Sequence, residues 1–242
     1  MKLDRELMED LNVCFYAGKC ESRPNGALID EIHESWHGQF ELLEEHHGYI
    51  QWLFPVFENA GMNWESQPLS KKGAAKIRED PVMSWRVVRS YKLMLHFYGL
   101  QLADQVSGLV ERDDDAEHAT SRLQHLNSSP HNWLRVSRII TSLGELGFRR
   151  YKNGFLNALE REVRSGLLSR ASQSFYNFWQ PLVLEEASAR YAAKTLESPE
   201  DRNEGCLFTS GAISSDVEEV QGGGAALDES QADKDAAQST NL

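Results

Sequence analysis

Apolar side chains recur along much of this chain at intervals of three and four, the spacing that keeps them on one face of an α-helix. After Asp80-Pro81 the series runs Trp85, Val88, Tyr91 or Lys92, Leu95 and Tyr98, and Gly99 ends it. Asp80 and Pro81 form a start signal: an acceptor at the N-cap, then a residue whose missing N–H is not needed in the first turn. Ser129-Pro130 repeats the signal, and Leu134, Ile139, Ile140, Leu143 and Leu146 carry the next stripe to Gly147. Two more helices are predicted over Phe148 to Leu168 and Phe175 to Leu196. An earlier one, Leu28 to Glu45, is predicted to bend near Gly38. Between Gly99 and Arg112 the pattern shortens to Leu100, Leu102 and, past Ser107-Gly108, Leu109, which predicts a small β-hairpin. The expected fold is all-α, a single compact helical domain with one small hairpin near residues 100–112.

The pattern stops at Ser198-Pro199. Beyond it the chain is rich in Gly, Ser, Ala, Asp, Glu and Gln, including Gly222-Gly223-Gly224. Too little apolar surface remains there to offset the entropy of ordering, so 198–242 is expected to be a disordered acidic tail behind a domain over 1–197. Of the net charge of −12, this tail carries −8, from ten acids against two bases. The rest is close to neutral overall, which argues against nucleic acid as a partner. The start lacks a basic stretch followed by an apolar one, and the longest apolar run, Trp52 to Phe57, is far short of the ~20 residues that span a bilayer. Cys14, Cys20 and Cys206 suggest no disulfide framework and fit a reducing, intracellular compartment.

Several stretches carry candidate chemistry. His33-Glu34-Ser35-Trp36-His37 is a literal H-E-x-x-H, which on a continuous helix puts two imidazoles on one face with a carboxylate beside them. As a zinc peptidase it would use His33 and His37 and need a third ligand, for which Glu44, His46 and His47 are the nominal choices. Gly38 directly after the motif opposes that reading, and Trp36 reads as a core anchor. His46-His47-Gly48 and the run Tyr49 to Pro55 set aromatic rings beside Gln51 and His47, either as core or as the lining of a pocket for an aromatic ligand. No Gly-x-Ser-x-Gly elbow and no phosphate-binding Gly loop occurs. From Ala27 to Ser66 there are eight acids and no Lys or Arg, and from Pro130 to Arg170 eight bases against three acids. The two blocks are expected to face each other or to be solvated faces, with attraction of a charged partner as the alternative.

These residues also carry a family resemblance. Ile29 to His33, Trp36-His37-Gly38, His47-Gly48-Tyr49-Ile50-Gln51-Trp52-Leu53-Phe54-Pro55, Gly61-Met62-Asn63, Ser90 to Leu95, Phe97-Tyr98-Gly99, His131-Asn132, Leu134-Arg135 and Ser142 to Phe148 follow in an order that resembles the opioid growth factor receptor conserved region. The resemblance covers roughly 13–181. It implies a helical, non-enzymatic receptor-like domain that needs no cofactor. It also implies a peptide ligand of the Met-enkephalin type and a nuclear or cytoplasmic setting with peripheral membrane association. Its pattern does not ask for Glu at position 34, which weakens the zinc reading further. The expected ligand-binding residues are Trp36, His37, His47, Tyr49, Gln51, Trp52, His131, Asn132 and Arg135. The alternative is a helical scaffold that binds another protein and no opioid ligand.

Overall fold

The computed structural model describes residues 10–58 and 64–182. Four short helices come first: α1 (Leu11–Tyr16), α2 (Ile29–Ser35), α3 (Phe40–Glu45) and α4 (Ile50–Leu53). Then come α5 (Lys71–Glu79), α6 (Pro81–Phe97), β1 (Leu100–Asp104) and β2 (Leu109–Arg112). The helices α7 (Ala116–Ser128), α8 (Pro130–Glu145) and α9 (Arg149–Arg164) complete the frame. A single turn, α10 (Ser172–Ser174), leads into a wide turn over Phe175–Trp179, closed by the Gln180 amide donating to the Phe175 carbonyl. The expected class, helical with one small hairpin, is the one observed. The predicted helix to Leu196 can be followed only to residue 182, and the expected acidic tail lies outside the described residues, as do Gly61-Met62-Asn63 and Cys206.

Local chemistry sets the boundaries. Asp80 caps α6 by accepting from the Val82 and Met83 amides, both at 2.9 Å, with Pro81 in the first turn. Gly99 ends that helix with φ +78, a value that favours a residue without Cβ. Ser129 stands at the N-cap of α8, but its side chain makes no capping bond; its carbonyl accepts from the Asn132 amide at 2.9 Å instead. The predicted helix from Leu28 to Glu45 is two helices, broken at Trp36–Gln39 around Gly38, whose φ is +77. Asp10 caps α1 by accepting from Val13, Ser70 caps α5 by accepting from Gly73, and the Ser70 hydroxyl donates to Asp10 at 2.9 Å. One bond therefore joins the starts of two helices that pack on each other.

The core is aromatic. Phe15, Tyr16, Tyr49, Trp52, Tyr91, Phe97, Tyr98, Phe155 and Trp179 are fully buried, and α6 runs through their midst. Two of the buried hydroxyls find backbone partners: Tyr16 donates to the Leu53 carbonyl at 2.5 Å and Tyr91 to the Tyr151 carbonyl at 3.0 Å, while the Tyr98 hydroxyl has none. Two members of the predicted stripes lie outside. Trp85 is 47% exposed, with the Lys92 ammonium over its ring, and Leu134 is 72% exposed. The hairpin rests on α9, where the Gly154 Cα approaches so closely that a Cβ there would lie 1.8 Å from the Gly108 carbonyl oxygen. Arg161 donates to the Val110 carbonyl at 2.5 Å, and Arg112 grips Glu162 through two bonds, at 2.9 and 2.6 Å. These tie the small sheet to the helix beneath it.

Candidate functional site

Four of the residues singled out by sequence, His47, His131, Asn132 and Arg135, gather around Glu44, in the last turn of α3. His131 Nε2 lies 2.6 Å from Glu44 Oε1, and Asn132 Nδ2 donates to both carboxylate oxygens, at 3.0 and 3.3 Å. His125 Nε2 is 3.2 Å from Oε2, off a good hydrogen-bond line. Arg135 is buried and donates to the carbonyls of Leu43 and Glu44, each at 2.9 Å, while its guanidinium lies 5.8 Å from the centre of the Tyr49 ring. His47 Nδ1 is 3.4 Å from Arg135 Nη2. Burial pushes the Glu44 carboxyl up, but the bonds from Asn132 and His131 and the nearby His125 imidazole outweigh it and hold the pKa down to about 2. The start of α8 is thereby clamped to the α3–α4 turn, joining part of the acidic block to part of the basic one. Asp30 pairs instead with Arg86 and Arg89 of α6.

The rings of Trp36, Tyr49 and Trp52 are taken up by packing. Trp36 meets Tyr49 edge-on at 5.6 Å, and Trp52 meets Phe15 at 5.4 Å while donating to the Arg23 carbonyl at 3.0 Å. Gln51 is half-buried, and its Oε1 has no hydrogen-bond partner. All three rings are buried and brace the fold from within.

The H-E-x-x-H segment does not form a metal face. Helix α2 ends at Ser35, so His37 leaves the helix that carries His33. His33 is buried with Nε2 2.9 Å from Ser90 Oγ, and burial, then the nearby Arg89 charge, push its pKa down to about 3. Glu34 is exposed and pairs with Arg89 at 3.5 Å. The exposed His37 lies tilted against His96 at 4.3 Å, beside His118 and Phe40, in a cluster that sequence reasoning missed. Arg122 covers both Phe40 and Phe97, with its guanidinium carbon 4.7 and 4.6 Å from their ring centres. A single-sequence signal was absent because the turn into α3, α6 and α7 supply these groups from three distant stretches.

An open cleft lies on the other flank of His131. It has a volume of about 740 Å³ and runs between α8 and the 174–182 segment, lined chiefly by Trp133, Leu134, Phe178, Trp179 and Leu182. Trp179 is held by its indole N–H, 3.0 Å from Ser137 Oγ. Leu134 and Phe178 project into solvent at 72% and 62% exposure. Because His131 borders the cleft and also holds Glu44, a carboxylate stands behind its rim. The amphipathic pattern of α8 marks this helix as half-buried, but which partner covers Leu134 is not encoded locally.

A helical frame whose motif residues lock onto one another, and whose open concavity is lined by aromatic rings, has the architecture of a binding domain. The chain belongs to the family defined by the opioid growth factor receptor (OGFr) conserved region, whose model matches residues 5–200. It is 45% identical over 141 residues to the opioid growth factor receptor of Mus musculus, covering 58% of this chain and 22% of that protein. The Homo sapiens receptor is 41% identical over 141 residues, covering 58% and 20%. Opioid growth factor receptor-like protein 1 of Xenopus tropicalis is 34% identical over 194 residues, covering 78% and 37%. The chain thus spans between about a fifth and two-fifths of the length of these relatives. No solved structure matches it. No described helix is long and apolar enough to cross a membrane.

Proposed function

We propose that this is a non-catalytic receptor module that takes aromatic side chains of a short peptide into the cleft between α8 and the 174–182 segment. The observation that carries the reading is that cleft, with the rings of Trp133, Phe178 and Trp179 on its walls. An enkephalin-like ligand brings a Tyr ring, a Phe ring and a terminal ammonium. The rings suit the cleft, and the ammonium suits the Glu44 carboxylate behind His131. Relatives called opioid growth factor receptors support this class of ligand. A role in growth regulation in the nucleus or cytoplasm, with peripheral membrane association, is part of the same proposal. Of the residues expected from sequence, His131 borders the cleft directly. Asn132, Arg135, His47 and Tyr49 contribute by fixing Glu44 and the start of α8.

A second reading has its own observation. Leu134 and Phe178 form an exposed apolar ridge along the cleft, and such a ridge also suits an amphipathic helix from a partner protein. A tryptophan-fluorescence titration with Met-enkephalin, against a scrambled pentapeptide, separates the two. Saturable binding that is specific to the true sequence and abolished by Leu134→Glu supports the peptide reading. Equal responses to both peptides, or none, overturn it and leave the protein-partner reading.

A further inference from the structure

We propose that His96, Asp113 and His118 form a binding site for one zinc-like divalent transition-metal ion, closed by His37 as the fourth ligand. The three residues come from the last turn of α6, the segment leaving β2 and the first turn of α7. One donor atom from each lies within 4.8 Å of the others. Two imidazoles and a carboxylate are a donor set that zinc takes readily, and hard ions such as magnesium or calcium prefer all-oxygen shells.

Three features make this more than a chance meeting of polar groups. His96 Nδ1 is buried without a hydrogen-bond partner, an otherwise costly arrangement that coordination would relieve. His118 Nε2 lies 3.1 Å from the His96 carbonyl, so Nε2 carries the proton and Nδ1 keeps a lone pair. A ring N–H held by a backbone carbonyl is the outer-shell arrangement typical of metal-bound histidines. The His37 ring lies 4.3 Å from that of His96, on the turn around Gly38, where no helix fixes its direction. Metal bonds of about 2.0–2.2 Å would place tetrahedral donors roughly 3.4 Å apart. The half-buried side chains close the remaining gap by rotating out of their stack about χ1 and χ2. The bound ion would tie the hairpin, the start of α7 and the α2–α3 turn together at one point, a structural role separate from the cleft.

The test uses the full untagged chain, stripped with a chelator, dialysed and titrated with Zn²⁺ by calorimetry, with Co²⁺ as a spectroscopic probe. The expected result is one ion per chain, a higher melting temperature, and the intense visible bands of tetrahedral cobalt. His118→Gln and Asp113→Asn should each weaken binding by at least about 100-fold, more than loss of an outer-shell partner usually costs. His37→Gln should weaken it less and reduce the cobalt intensity. Circular dichroism must show each variant folded, and these partly exposed positions make that the expected outcome. Binding unaffected by His118→Gln and Asp113→Asn in folded protein, several weak ions per chain, or no binding would overturn the assignment. Binding lost in His33→Gln but retained in His118→Gln would return the metal to the H-E-x-x-H segment and also overturn it.

Discussion

Replacing Glu44 with Gln keeps the side-chain shape and removes the charge around which Asn132, His131 and His125 are arranged. Each unit of pKa displacement corresponds to about 1.4 kcal/mol. The shift from an ordinary 4.5 to about 2 therefore sets a ceiling of roughly 3 kcal/mol on the carboxylate's contribution. The side chain is 23% exposed, and the solvent it meets screens the pair. A realistic figure is about 1–2 kcal/mol. Because the folded pKa lies below the unfolded one, the unfolded chain binds more protons between them. The stabilisation is fully present above about pH 4.5 and is lost as pH falls through about 2. Urea unfolding of wild type and Glu44→Gln, followed by tryptophan fluorescence from pH 7 to pH 2.5, should show a gap that is widest near neutrality and shrinks with acid. Urea is preferred because guanidinium would screen the interaction. A gap constant across pH, or none at pH 7, would show that Glu44 is not the charged centre of the clamp.

Three further outcomes follow from the packing and electrostatics. Trp52→Ala empties a buried site against Phe15 and should cost about 3–5 kcal/mol, seen as a large fall in melting temperature. Gly154→Ala, which improves helix propensity in isolation, should instead destabilise by about 1–3 kcal/mol, because its Cβ would lie 1.8 Å from the Gly108 carbonyl; unfolding midpoints decide the sign. His33 is held neutral by burial and by Arg89 and Arg86, against the opposing pull of Asp30, with its pKa at about 3. Its contribution is present above pH 6.5 and lost as pH falls toward 3, so His33→Asn should flatten the acid limb of the stability profile; an unchanged slope would refute it.

Element starts were legible because their causes are local. Asp80-Pro81 announces a helix by residues that cap and open it themselves, and the alternation around Ser107-Gly108 announces a turn. Helix faces were less legible, since periodicity gives a stripe but not what covers it. Trp85 and Leu134 fit the stripes of their helices, yet one lies under Lys92 and the other on the rim of the cleft. The break at Trp36–Gln39 was half visible: Gly38 marked the place, but a bend and two separate helices share that signal. Gly154 gave no signal, because its need for a missing Cβ comes from a hairpin more than forty residues earlier.

The site shows the same division. His47, Tyr49, Asn132 and Arg135 were marked by the family pattern, and the fold does gather them, but the group they surround was not recognised as its centre. Glu44 sits among Glu41 and Glu45 with nothing local to distinguish it, and its partners lie more than eighty residues away. The gathering also changes what the pattern means. Arg135 is bound to two backbone carbonyls, Trp52 to a third, and Trp36 and Tyr49 pack on each other. A ligand that used these groups would have to break contacts that hold α3 against α8 and α4 against the segment before α2. On the proposed reading, the surface used for recognition is therefore at the edge of the motif, where His131 joins the clamp to the cleft. Mutations at the exposed Leu134 or Phe178 should then alter binding with little effect on stability, and mutations at the buried Arg135 or Trp52 should not.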